Sequence, residues 1–430
     1  MIVVHAHHLL ARRLGGGGAV RADRRADVTE EEPVDGVEGS VMPRPVRFGR
    51  TAITGVTITL GLVGGTIAVY GTILVGVAHR FDLSVATAGI TLSANFLGAL
   101  LGVVACWWSL RRAAGGRVLA SALVVFAVGL ALAATAPTWP IFVTAISLSG
   151  VGFGALDVGV LTLMSRTEPD HRAWRLSVTG SGWAIGAIAG PLLIVVIRPA
   201  HFQAFLALAA LLALALTALV RDVDAPPVRL GATLALAAAR PPNRREVLQT
   251  FLAAFCCYVG LETAIAGWVA TQLHGWHFAV AVGSLVTAGF WAGLAVGRLA
   301  ARRLLRRWTG DRIVIVGLIG AVALLLAASI RWVAPLAYPL VGIALASVFP
   351  LGLHRFTELS PDDHDGVASL VLIGMLGGIL GSGAENVAVA VFGLRAVPFV
   401  AAGMAALCLA VFASATRFST LDRLSAAPPA

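Results

Sequence analysis

Apolar residues run along this chain in stretches that leave no polar face. Ala204–Val220, for example, is hydrophobic on every side of a helix. Each stretch is roughly 20 residues long, the length a helix needs to cross about 30 Å of hydrocarbon. The pattern predicts twelve transmembrane helices, near 51–77, 85–108, 118–136, 139–163, 175–197, 203–220, 249–273, 279–301, 312–331, 334–355, 366–391 and 395–416. A β-barrel would need short segments of strict alternation, which these runs lack. The expected class is therefore an all-α polytopic membrane protein.

Polar segments divide the spans. The longest interior one, Arg221–Arg245, contains Asp222, Asp224, Pro226, Pro227, Pro241 and Pro242 and separates six spans from six. This predicts an N-terminal six-helix bundle at 49–221, a linker at 222–247 and a C-terminal bundle at 248–417, with a short tail at 418–430. Residues 1–48 carry Gly15–Gly18, the acidic run Glu30–Glu32 and His5, His7 and His8. That composition favours a disordered tail, with nothing to hold the histidines as a metal site. Met42 is read as the start of translation, and no cleavable signal peptide is expected.

A repeat supports the division. Thr167-Glu168-Pro169-Asp170-His171 returns as Thr357-Glu358 followed by Pro361-Asp362-Asp363-His364, and Gly186-x-x-x-Gly190 is answered by Gly377-x-x-x-Gly381. Duplicated halves of this kind, related by an axis along the membrane normal, build transporters.

Composition agrees with the pattern: of 430 residues, 58% are hydrophobic and 13% charged, and mean hydropathy is +0.87, outside the range of soluble domains. The net charge of +10 comes from 32 basic residues, all arginine. They fall between the spans rather than in a nucleic-acid patch. Arg44, Arg47 and Arg50 precede the first span; Arg111, Arg112 and Arg117 follow the second, Arg166, Arg172 and Arg175 the fourth, Arg221, Arg229, Arg240, Arg244 and Arg245 the sixth. Arg302, Arg303, Arg306, Arg307 and Arg312 follow the eighth, Arg355 the tenth, and Arg417 and Arg423 the last, against only Arg80, Arg198, Arg331 and Arg395 on the other side. The positive-inside rule then puts both termini in the cytoplasm and the spans in the cell membrane. Cys106, Cys256, Cys257 and Cys408 lack ligand spacing and read as packing residues.

Three carboxylates stand inside apolar spans: Asp157, Glu262 and Glu385. Burying a charge there costs several kcal/mol unless it is protonated, paired or wet, which makes each a functional candidate. Asp157 sits among Gly150, Gly152, Gly154 and Gly159, so its helix can approach a neighbour closely. Glu262 shares its span with Tyr258, Trp268 and Gln272, a stacking and hydrogen-bonding surface for a polar solute. Its alternative is a helix-to-helix hydrogen bond, with Asn386 or a serine as partner. Glu385 and Asn386, Asn95 and the deep Trp183 complete the expected substrate-binding set, with a packing amide the equal alternative at Asn95. Trp107, Trp108, Trp276 and Trp332 lie at span ends and suit an interfacial belt. No phosphate loop, H-E-x-x-H or G-x-S-x-G appears, so neither an enzyme nor a cofactor is expected and ATP-driven transport is disfavoured.

Residues 45–418 resemble the major facilitator superfamily. The loop Arg112-Ala113-Ala114-Gly115-Gly116-Arg117 is similar to the family's D-R-x-G-R-R signature, with Arg112 in place of the acid. The resemblance implies a fold of two six-helix bundles and a cytoplasmic gate at Arg112, Gly115, Arg117 and Arg298. Gly186-x-x-x-Gly190-Pro191 resembles the core of the helix-five exporter motif, although Ile194 and Val195 replace its final glycines. Gly150-x-Gly152-x-Gly154-Ala155-Leu156-Asp157 and Tyr258-Val259-Gly260-Leu261-Glu262 with Gly267-Trp268 look like the fucose-permease-like branch, where an acid at the position of Asp157 takes part in proton coupling. Gly71 stands where that branch has an acid on helix one and Leu161 where it has an asparagine, so a fucose-like substrate is not carried over.

The sequence thus predicts a monomeric, proton-coupled secondary transporter of a small organic solute, sugar-like or another metabolite, with Asp157 and Glu262 coupling the proton. Two alternatives stand beside it: a proton antiporter exporting drugs or metabolites, and a non-transporting sensor of the same fold.

Overall fold

The computed structural model describes residues 46, 48–167, 169–227, 242–360 and 364–415. Of the tail expected at 1–48 only Val46 and Phe48 are described, both buried; residues 418–430, Arg44, Arg47, Arg417 and Arg423, and linker residues 228–241 lie outside the described residues. Among the described residues, twelve helices are long and apolar enough to cross a membrane. They are α1 (Arg50–Arg80), α2 (Val85–Leu110), α3 (Gly115–Thr135), α4 (Trp139–Ser165), α5 (Pro169–Ile197), α6 (Phe202–Val220), α7 (Pro242–Gly275), α8 (Val280–Leu304), α9 (Gly310–Ala327), α10 (Ala334–Leu359), α11 (His364–Phe392) and α12 (Val397–Ala415).

Local chemistry sets several boundaries. Ser84 caps α2 by accepting the Thr87 N–H at 3.0 Å, and Thr309 caps α9 by accepting that of Arg312 at 3.4 Å. α10 is broken at Ala346–Ser347 into Ala334–Leu345 and Val348–Leu359. Pro350 explains the break: it has no N–H to give the carbonyl four residues back, and its ring crowds that carbonyl.

The helices pair in the same way in each half. α1 packs on α5, α2 on α4, α3 on α4 and α6; α7 packs on α11, α8 on α10, α9 on α10 and α12. Two hydrophobic cores result, one centred on α1–α6 that also takes in Trp268, Met375, Val389 and Val397 of the second half, and one built from α7–α12. The repeated glycine pairs make the same seam twice. A Cβ at Gly186 or Gly190 would collide with the carbonyls of Gly61 and Gly65 on α1; one at Gly377 or Gly381 would collide with those of Cys256 and Gly260 on α7. Small residues let these backbones touch where lipid supplies no hydrophobic drive. In α4, Gly150 and Gly154 bear in the same way on the backbone of α2 at Asn95 and Ala99.

Candidate functional site: a cavity between the halves

The two bundles face each other through α1, α2 and α5 on one side and α7, α8 and α11 on the other. Between them lies a cavity of about 360 Å³, within the size range of small-molecule sites. Its wall is largely aromatic and aliphatic. Phe153 packs against Phe96 and Trp183, each with ring centroids 6.0 Å apart, and Tyr258 against Phe349 at 6.1 Å. Into this wall project Asp157 from α4, Tyr258 and Glu262 from α7, and Trp291 and Arg298 from α8.

These polar groups differ in how they are satisfied. Thr179 and Thr263 also line the cavity, but their hydroxyls donate to carbonyls of their own helices at 2.9 and 2.8 Å. Tyr70 and Asn95 belong to a network: Tyr70 Oη lies 2.9 Å from Ser149 Oγ, and Asn95 Nδ2 donates to the Ile146 carbonyl at 3.2 Å. Asn95 thereby ties α2 to α4 while its Oδ1 remains buried without a partner. Glu262 has the Arg298 guanidinium as its attracting charge and the Tyr258 hydroxyl beside it. Asp157 makes no hydrogen bond or ion pair among the described residues. The groups facing the cavity without a carbonyl of their own helix to satisfy them include Asp157, Glu262, Arg298, Tyr258 Oη and Trp291 Nε1.

The cavity is closed on one side. Gly71 of α1 lies against the Ala266–Gly267 backbone of α7, Gly89 of α2 against Trp268 and Asn386, and Phe96 over Gly378 of α11; Ser93 Oγ donates to the Ile379 carbonyl at 3.4 Å. All these contacts lie toward the end where α1 and α7 finish. Toward the other end the cavity continues along Leu161, Leu176, Arg298 and Leu370. That end also carries Arg111, Arg112, Arg302, Arg303, Arg306 and Arg307. The contact at Gly71 shows why no acid stands on α1 there: a side chain would strike the Ala266 carbonyl.

Of the residues expected to bind substrate, Asn95, Trp183, Tyr258 and Glu262 line the cavity. Trp268, Gln272, Glu385 and Asn386 do not. Trp268, Gln272 and Glu385 are fully buried beyond the cavity toward the closed end, Trp268 next to the lining Gly267, and there Tyr338 Oη donates to Gln272 Oε1. Asn386 reaches the α2 seam at Gly89, so it is no partner for Glu262. Arg298, expected at a gate, lines the cavity toward its open end. The remaining gate residues stay within their own half: Arg112 stacks 3.9 Å from the Trp108 ring centroid, the Gly115 N–H donates to the Ala225 carbonyl at 2.8 Å, and Arg117 is exposed. Sequence reasoning missed Trp291, Tyr70 and Phe349. Trp291 and Arg298 are seven residues apart, two helical turns, so a shared face was there to be seen.

Two six-helix bundles enclosing a cavity that reaches only one end define a polytopic membrane protein of two-bundle architecture. The sequence profile of the Major Facilitator Superfamily matches residues 56–372, and the chain belongs to that superfamily. It is a multi-pass membrane protein. A stretch of 103 residues is 32% identical to the MFS-type transporter pgmG of Aspergillus terreus, covering 24% of this chain and 18% of that one. Among solved structures, the chain is similar to a D-xylose-proton symporter (TM-score 0.67, 13% identity, 84% of this chain and 96% of the other). It is likewise similar to FucP in its outward conformation (TM-score 0.60, 16% identity, 85% and 98%). At such identities the likeness concerns the fold.

Proposed function

We propose that this chain moves a small amphipathic organic solute across the cytoplasmic membrane by alternating access, driven by protons. The observation that carries the reading is the unpartnered Asp157 in a largely aromatic and aliphatic cavity. A carboxylate so placed is costly unless something neutralises it, and a proton or a cationic group of the solute would do so. Glu262, held near Arg298, orients the polar end of the solute together with Tyr258 and Trp291. Phe153, Trp183 and Phe349 take its apolar part. Proton binding at Asp157 biases the halves between open ends through its differential affinity for the two states. By the positive-inside rule the arginine-rich end faces the cytoplasm, so the conformation described is inward-facing, and the chain works as a monomer.

Export in exchange for protons is the second reading, favoured by the apolar wall, which suits a hydrophobic cargo better than a sugar. One experiment separates the two. Purified protein in proteoliposomes is offered a panel of sugars, nucleosides and hydrophobic drugs while internal pH is recorded with and without an imposed proton gradient. Internal acidification accompanying solute entry supports symport, and alkalinisation during entry supports antiport. Binding without flux or pH change for every solute would overturn both.

A further inference from the structure

The structure holds a second buried acid that the central cavity does not use. Glu385 of α11 is 0% exposed, and both carboxylate oxygens lack a hydrogen-bond partner among the described residues. It lies one turn past Ser382, which lines the cavity, so it belongs to the closed end and not to the solute site. The same closed end holds other buried polar atoms without hydrogen-bond partners among the described residues: Trp268 Nε1 and Gln272 Nε2 on α7, and Oδ1 of Asn386, next in sequence to Glu385. Asn386 in turn abuts Gly89 at the seam between α2 and α11.

The charged groups near Glu385 are few. From α10 comes the Tyr338 hydroxyl, its titratable electrostatic neighbour, and that hydroxyl is engaged with Gln272. α7 and α2 bring Trp268, Gln272 and Ser93 and no charge; Cys408 of α12 points to the Ala254 carbonyl instead. Arg395, on the turn after α11, is exposed and forms no ion pair with it. An ionised carboxylate with no countercharge costs several kcal/mol at such a place, and its neutral acid much less.

We infer that Glu385 is a second proton-binding site, separate from the solute cavity, whose occupancy seals the end of the molecule where α1 and α7 finish. Parting the α2–α11 seam admits water to the acid, which then ionises; closing the seam takes the proton back from that side. The inference rests on the reading that this seam opens during transport, but not on Asp157 or on any solute.

The test places a cysteine at the seam, Ser93→Cys, and follows its modification by a membrane-impermeant thiol reagent added at that end, with the unsubstituted chain as the control for its native cysteines. A cysteine reacts as its thiolate, so its rate rises with pH in any case; with Glu385 present the rise is steeper than that titration alone, by up to about a further tenfold per pH unit for a single linked proton. Glu385→Gln, which mimics the neutral acid, leaves only the thiolate's own dependence and a lower rate at high pH; Glu385→Asp, which keeps an ionisable group, retains the extra steepness. Infrared spectroscopy of Asp157→Asn/Glu262→Gln protein supplies an independent readout: a neutral carboxylic-acid band that Glu385→Gln removes. A pH-dependent rate unchanged by Glu385→Gln, a Ser93→Cys thiol unreactive at all pH, or the absence of that band would each overturn the proposal.

Discussion

The two halves of this transporter share a frame and differ in their chemistry. Both are assembled from the same helix pairings, and both join their first and fifth helices through glycines set four residues apart. Their faces toward the cavity are unlike: the first half offers Asp157 without a partner, whereas the second offers Glu262 near Arg298, with Tyr258 and Trp291 beside them. The second half also breaks α10 beside Phe349, in the cavity wall, while its counterpart α4 runs unbroken from Trp139 to Ser165. Backbone contact is thus duplicated where it serves packing, and side-chain charge is distributed unequally where it serves work. One half turns a lone carboxylate toward the cavity, the other a carboxylate under the influence of an arginine.

The largest effect should come from the shared frame. Gly186→Leu and Gly377→Leu each force a side chain into a neighbouring carbonyl, so both should cost several kcal/mol and abolish monodisperse protein in size-exclusion chromatography. If only one of the two did so, the halves would not be equivalent in packing. Next comes the unequal chemistry. Glu262→Gln leaves Arg298 without its countercharge and should destabilise by about 1–3 kcal/mol, seen as a lower thermal midpoint. The double variant Glu262→Gln/Arg298→Gln should recover part of that loss, because the pair is then removed together. Additive losses would mean that the two groups do not interact. Tyr338→Phe removes one buried hydrogen bond to Gln272 and should cost about 1 kcal/mol, as side-chain bonds between membrane helices do. The smallest effect belongs to Gly403→Ala, where a Cβ meets nothing within 4 Å; stability should be unchanged or higher by up to about 1 kcal/mol.

The spans were legible because hydrocarbon thickness imposes itself on every helix, whatever its neighbours. Where helix and apolar stretch part company the reason is physical. α7 begins at Pro242 rather than near 249, and α8 runs on to Leu304 through Arg302 and Arg303: hydrogen bonding continues where hydropathy stops. The break in α10 had a sequence signal in Pro350. The Gly-x-x-x-Gly repeat was legible as well, because backbone contact leaves a direct mark on residue size. The site was read less fully. Glu262 and Gln272 share a span, yet one faces the cavity and the other Tyr338, because which face of a buried helix turns inward depends on partners that a uniformly apolar sequence does not reveal. Arg298 was placed at a gate by motif, and a register two turns from Trp291 brings it to the cavity lining toward the open end.

The most direct test of the account is proton-driven accumulation in proteoliposomes by the native chain and by Asp157→Asn, using a solute that the panel identifies. Asp157→Asn should abolish accumulation against a gradient and its pH dependence while solute exchange across the membrane at equal pH persists, since the cavity itself is intact. Undiminished, pH-dependent accumulation by Asp157→Asn would contradict the assignment of the driving proton to this cavity.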